Sequence, residues 1–134
     1  MKLYVDASAL LKLYVEEPSS EAARDLLVDA RDWTTGRHTL VEVRRNLARL
    51  LEGDSRAEYR RWFDLHWAEM AVIELSEFVC DRAAELAEVT GVRALAALHL
   101  GAADEAGGAE LPLVTFDRRL AEAARSLGWT VLGA

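Results

Sequence analysis

Five short runs of β-branched, aromatic and leucine residues recur along this chain, and the stretches between them carry apolar residues at helical spacing. The runs cover residues 2–5, 33–35, 71–75, 111–115 and 129–132. Strand alternating with helix from end to end predicts an α/β fold whose central sheet is mainly parallel and covered by helices on both faces. The first helix is expected over 9–15 with Ser8 as N-cap, and the second has Pro18 in its first turn and Ala22, Ala23, Leu26, Leu27 and Ala30 on one side. Gly36 breaks the second strand, and a third helix over 39–51 is closed by Gly53. Asp54 or Ser55 caps a fourth, and Ser76 opens a fifth that Gly91 stops. Residues 92–106 form a sixth, and Asp117 opens a seventh over 118–127.

With 134 residues, one domain spanning 1–134 is expected, because the length is too short for two full hydrophobic cores. A hydrophobic content of 51% with 29% charged residues is a globular balance. The net charge of −7 disfavours coating nucleic acid by bulk charge, so any such contact must be local. Cys80 is the single cysteine and can form neither an internal disulfide nor a thiolate metal cluster. A cytoplasmic, soluble protein with no membrane association fits these features and the lack of a long apolar stretch.

In an open α/β sheet, ligands bind beyond the carboxyl ends of the strands, and Asp6 and Asp117 both stand at such ends. Each could serve only as a helix cap, since a carboxylate is stabilised at a helix N-terminus. Two of them at one sheet edge would repel unless a cation or hydrogen bonds compensate. Glu42, early in the third helix, is the third candidate, with a solvated helix glutamate as the alternative. Oxygen-only ligation suits Mg²⁺ or Mn²⁺. Zinc is not indicated: His38, His66 and His99 have no short ligand spacing with one another or with Cys80, and a histidine on an apolar helix such as His99 is ordinarily packed. No phosphate-binding glycine loop, nucleophile elbow or dinucleotide fingerprint is present.

Four segments together resemble the PIN-domain ribonucleases, in particular the VapC toxins of toxin–antitoxin pairs: Val5-Asp6-Ala7-Ser8-Ala9-Leu10, Leu40-Val41-Glu42-Val43, residues 92–100 and Thr115-Phe116-Asp117-Arg118-Arg119-Leu120. The resemblance covers nearly the whole chain and implies a three-layer α/β/α fold, a Mg²⁺- or Mn²⁺-dependent endoribonuclease, a VapB-type antitoxin partner and a homodimer. Such sites are built from four acidic residues. Asp6, Glu42 and Asp117 match three, and the fourth position falls on Ala96. Asp104 cannot substitute, because eight helical residues span about 12 Å. Either a deliberate Asp-to-Ala change, favoured by the intact motif around position 96, or natural loss of a ligand accounts for the alanine.

The resemblance makes Asp6, Glu42 and Asp117 the catalytic carboxylates and metal ligands. The hydroxyls of Ser8 and Thr115 flank two of them and can support them by hydrogen bonds, or can act as simple caps. Arg45 and Arg49 follow Glu42 at helical spacing, and Arg93 and Arg118 flank the other motifs, so these four are candidates for RNA phosphate contacts, with solvated helix faces as the alternative. Trp62, Phe63 and Trp67 either fill the core or form a partner surface, and core burial is expected. The rival readings are a catalytically silent PIN domain that binds protein or RNA, and a phosphorelay receiver. The receiver needs a lysine near its last strand, whereas only Lys2 and Lys12 exist here.

Overall fold

A computed structural model describes residues 1–28, 30 and 32–134. Among these, five strands form one sheet in the order β3-β2-β1-β4-β5, and every pairing is parallel. The strands are β1 (Lys2–Val5), β2 (Asp32–Gly36), β3 (Ala71–Ile73), β4 (Leu113–Thr115) and β5 (Val131–Gly133). The helices are α1 (Ala7–Leu11), α2 (Ser20–Val28), α3 (His38–Leu50), α4 (Gly53–Glu69), α5 (Glu77–Thr90), α6 (Ala94–Ala106) and α7 (Arg118–Ser126).

The period-two alternation of β1 divides the core into two layers. Leu3 and Val5 point to one face and pack with Leu10, Leu27, Val43, Leu47 and Phe63 of α1 to α4. Tyr4 points to the other, among Val79, Leu86, Leu100 and Leu120 of α5 to α7. Leu3, Tyr4 and Val5 are all fully buried, as a central parallel strand covered on both sides requires. This is the expected three-layer α/β/α arrangement. On the second face, Gly101 lets α5 and α6 approach closely, for a Cβ there would stand 2.8 Å from the Ala83 Cβ.

Several local expectations need correction. The N-cap of α1 is Asp6, whose carboxylate accepts from the Ala9 N–H, and the helix ends at Leu11 instead of reaching Val15. Proline at 18 lies ahead of α2, which starts at Ser20, and the predicted Ala30 lies beyond its end. Gly53 does not terminate α3. It opens α4 with φ of +57°, after Glu52 at the N-cap, so neither Asp54 nor Ser55 is the cap. The run at 71–75 yields only three strand residues at the sheet edge, none buried, because β3 pairs with β2 alone. Arg93 takes the N-cap position of α6, which shortens it by two residues, while Ser76 and Gly91 bound α5 as expected. The three aromatic residues split: Phe63 is fully buried, Trp67 packs on the core margin, and Trp62 is half exposed.

From β1 the chain runs outward through β2 to β3, then crosses back to β4 on the opposite side of β1. The reversal makes the β1/β4 pair the topological switch point, where a crevice opens beyond the strand ends. The Asp6 N–H donates to the Val114 carbonyl at 3.2 Å, which holds the two ends side by side. No single helix among the described residues is long and apolar enough to cross a membrane.

Candidate active site

Asp6 leaves β1 with its side chain buried, and three groups donate to it: the Ser8 hydroxyl at 2.8 and 2.9 Å from the two oxygens, the Ala9 N–H at 3.0 Å, and the Thr115 hydroxyl at 2.6 Å. Burial raises its pKa, opposed by the nearby His99 and by the bonds from Thr115, Ala9 and Ser8. Ser8 and Thr115 also tie the two strand ends together. The Ser8 oxygen accepts the Phe116 N–H at 3.0 Å, and the Thr115 oxygen accepts the Asp117 N–H at 3.0 Å. Asp117 then caps α7, with Oδ1 accepting the N–H groups of Arg119 and Leu120.

Glu42 arrives from α3 as the partly buried member. Its Oε1 is 2.9 Å from His99 Nε2 and 3.7 Å from His38 Nε2. His99, one α-turn past Leu95, is held on its other nitrogen by the Tyr4 hydroxyl at 2.8 Å. The two imidazoles lie against each other with centroids 4.0 Å apart and planes tilted by 45°. Burial, with the neighbouring His99, lowers the His38 pKa to about 4 against the pull of Glu42, so its ring is neutral at physiological pH. Burial likewise pushes the Tyr4 phenol well above its usual range, which keeps it a neutral hydroxyl.

Asp6, Glu42 and Asp117 line one cleft of about 470 Å³, together with Ser8, Arg93, Ala96 and His99. Three elements far apart in sequence thus bring their carboxylates to the switch point, and position 96 lines the same hollow with a methyl group. Among the described residues, Oε2 of Glu42 and Oδ2 of Asp117 accept no hydrogen bond from the protein. Free carboxylate oxygens beside a solvent-open cleft fit a hard divalent cation such as Mg²⁺ or Mn²⁺, although alanine at 96 withholds one further oxygen. Asp104 lies elsewhere and accepts from Arg82 Nε at 3.0 Å on α5.

The four arginines are not gathered in one place. Arg93 lines the cleft. Arg118 is exposed at the start of α7 and is not among the lining residues. Despite its spacing from Glu42, Arg45 lines a separate groove with Leu40, Val41, Arg44, Ala48 and Arg60, and Arg49 donates to Asn46 Oδ1. Sequence reasoning missed His38, His99 and Tyr4 as neighbours of Glu42. The spacing of four between His38 and Glu42 places both on one helix face and was available; the arrival of His99 from α6 depends on tertiary packing.

With this geometry established, comparison with known proteins assigns the chain to a family. The PIN domain family model matches residues 3–126. Ribonuclease VapC45 of Mycobacterium tuberculosis is 33% identical over 138 residues, covering 98% of this chain and 95% of that protein. Among solved structures, M. tuberculosis VapC20, described as a sarcin-ricin loop cleaving toxin, superposes with a TM-score of 0.73 at 16% identity, covering 90% of this chain and 94% of that one. VapBC2 from Rickettsia felis, bound to a DNA fragment from its promoter, gives a TM-score of 0.69 at 14% identity over 100% and 99% of the two chains. The full-length identity and the family match agree with the parallel sheet and its carboxylate-lined switch point: the chain belongs to the PIN-domain family, among the relatives of the VapC ribonucleases.

Proposed function

We propose that this chain is the endoribonuclease toxin of a toxin–antitoxin pair, with its metal centre weakened by alanine at position 96. The observation that carries the reading is the convergence of Asp6, Glu42, Asp117 and Ala96 on one cleft at the β1/β4 switch point. Asp6, Glu42 and Asp117 would hold Mg²⁺ or Mn²⁺. Held by these carboxylates, such an ion would supply Lewis-acid chemistry toward water and a phosphodiester. The protein's own part is preorganisation: Ser8 and Thr115 fix the Asp6 carboxylate, the α7 N-terminus orients Asp117, and His99 restrains Glu42. Arg93, which lines the cleft, would meet substrate phosphate there, while Arg45, Arg49 and Arg118 would contribute only along the more distant backbone of a tRNA or ribosomal RNA.

A VapB-type antitoxin fits the groove along α3 and α4, where Leu40, Val41 and Ala48 form an apolar floor rimmed by Arg44, Arg45 and Arg60. Exposed Phe78 and Val89 on α5 offer apolar surface to a homodimer. Location in the cytoplasm, where RNA and antitoxin are found, accords with this reading.

A catalytically silent PIN domain that binds protein or RNA is the second reading, and Ala96 itself favours it. The experiment that separates them is reversion. Ala96→Asp should confer manganese-dependent cleavage on structured RNAs; an inactive revertant at saturating metal leaves the silent module as the correct description.

A further inference from the structure

Beside the carboxylate cleft lies a second donor set of different chemistry. His38, Glu42 and His99 each present one ligand atom, and the three atoms lie within 4.8 Å of one another. The Glu42 Oε1 distances of 2.9 Å to His99 Nε2 and 3.7 Å to His38 Nε2 straddle the ~3.3 Å edge of a tetrahedron with zinc-like bonds of about 2.0–2.1 Å. From this we infer that His38, Glu42 and His99 form a binding site for a borderline transition cation of the Zn²⁺ or Co²⁺ type, distinct in chemistry from the oxygen-only centre.

Three independent features build the site. First, His38 is 92% buried, and neither of its ring nitrogens makes a hydrogen bond of normal geometry, although the Leu95 backbone is close enough to influence it. A buried imidazole with idle nitrogens is costly unless something else uses them. Second, the Tyr4 hydroxyl at His99 Nδ1 can accept that ring's N–H, which would leave the Nε2 lone pair aimed at Glu42 and His38. Third, Gly36 makes room for the His38 ring: a Cβ at 36 would sit 2.7 Å from His38 Cε1 and 2.8 Å from Nδ1. Because Glu42 and His99 also line the cleft, the fourth coordination position opens to solvent.

Imidazole pairs with one carboxylate select Zn²⁺, Co²⁺ or Ni²⁺ over Mg²⁺, which prefers oxygen and retains its waters. An ion there takes Glu42 Oε1 away from the neighbouring centre, so it would oppose Mg²⁺ or Mn²⁺; that consequence alone rests on the function proposed above.

The test is calorimetric titration of the tag-free chain with Zn²⁺, and with Co²⁺ to follow the visible spectrum. One tightly bound equivalent is expected, with the intense absorption of four-coordinate cobalt. His38→Gln and His99→Gln should each weaken binding roughly tenfold or more, whereas His66→Gln, outside the cleft, should leave it within about twofold. Should the buried variants misfold, imidazole ¹⁵N–¹H spectra of the unaltered chain decide: Zn²⁺ must shift His38 and His99 and leave His66 in place. Absent binding, undiminished binding in both histidine variants, or shifts confined to His66 would overturn the inference. Failure of the Ala96→Asp revertant to cut RNA would remove the proposed function and leave this site standing.

Discussion

Glu42 and His99 are 57 residues apart in sequence, yet their side chains meet at 2.9 Å, and Tyr4 grips the far side of the same imidazole at 2.8 Å. The relay connects α3, α6 and β1 through one ring. Tyr4→Phe deletes the hydroxyl and leaves His99 Nδ1 buried without a partner. A loss of about 1–3 kcal/mol in urea unfolding is expected. An unchanged midpoint would mean that the relay carries no stability.

Asp6 illustrates a cost at the site. Its pKa is raised by burial, so the folded state holds the proton more tightly than the unfolded chain does. The sign follows: this group's contribution favours folding at low pH and is lost as pH rises through the folded-state pKa. Asp6→Asn removes that burden, so its melting temperature should exceed the parent's at pH 8 by more than at pH 3.5. Thermal melts across this range check the trend, and a constant offset would contradict it.

The reverse dependence is expected from His66, whose Nδ1 lies 2.6 Å from the Tyr14 hydroxyl and whose pKa is lowered by burial. Here the unfolded chain binds the proton more readily, so stability present above pH 6.5 declines as pH falls below it. His38, held near 4, adds to the same acid limb. His66→Gln should flatten part of the decline between pH 7 and 5 in melting experiments.

Gly36 and His38 are expected to be energetically coupled. Gly36→Ala forces a methyl group against the imidazole and should cost about 1–3 kcal/mol. In a His38→Ala background the same change should cost much less. A double-mutant cycle by denaturant unfolding reads the difference, and strict additivity would refute the contact.

Divalent metal provides the last comparison. Mn²⁺ should raise the melting temperature of the Ala96→Asp form more than that of this chain, because a fourth carboxylate then lines the cleft. Equal shifts would show that position 96 does not reach the ion.

The architecture was legible because β1 and β4 carry strand residues buried on both faces and because each following helix opens at an aspartate. The local errors have physical causes. Asp6 outcompetes Ser8 as the cap because the Ser8 hydroxyl is engaged by the carboxylate and by Phe116. At Gly53 a stop and a start look alike in sequence, since a left-handed residue serves both. The acidic residues of the site could be placed from strand ends and motif resemblance. The histidines around Glu42 could not, because their meeting depends on how α6 crosses the end of β2, and Arg45 shows that helical spacing alone does not say which side of a residue faces a cleft.

The bond from Thr115 to Asp6 joins residues 109 positions apart, and the strand that carries Thr115 is inserted next to the first one made. The cleft therefore cannot close before synthesis has passed Thr115 and that residue has left the ribosome. Until then the nascent chain has its first carboxylate but neither the Thr115 hydroxyl that fixes it nor the Asp117 that faces the same cleft.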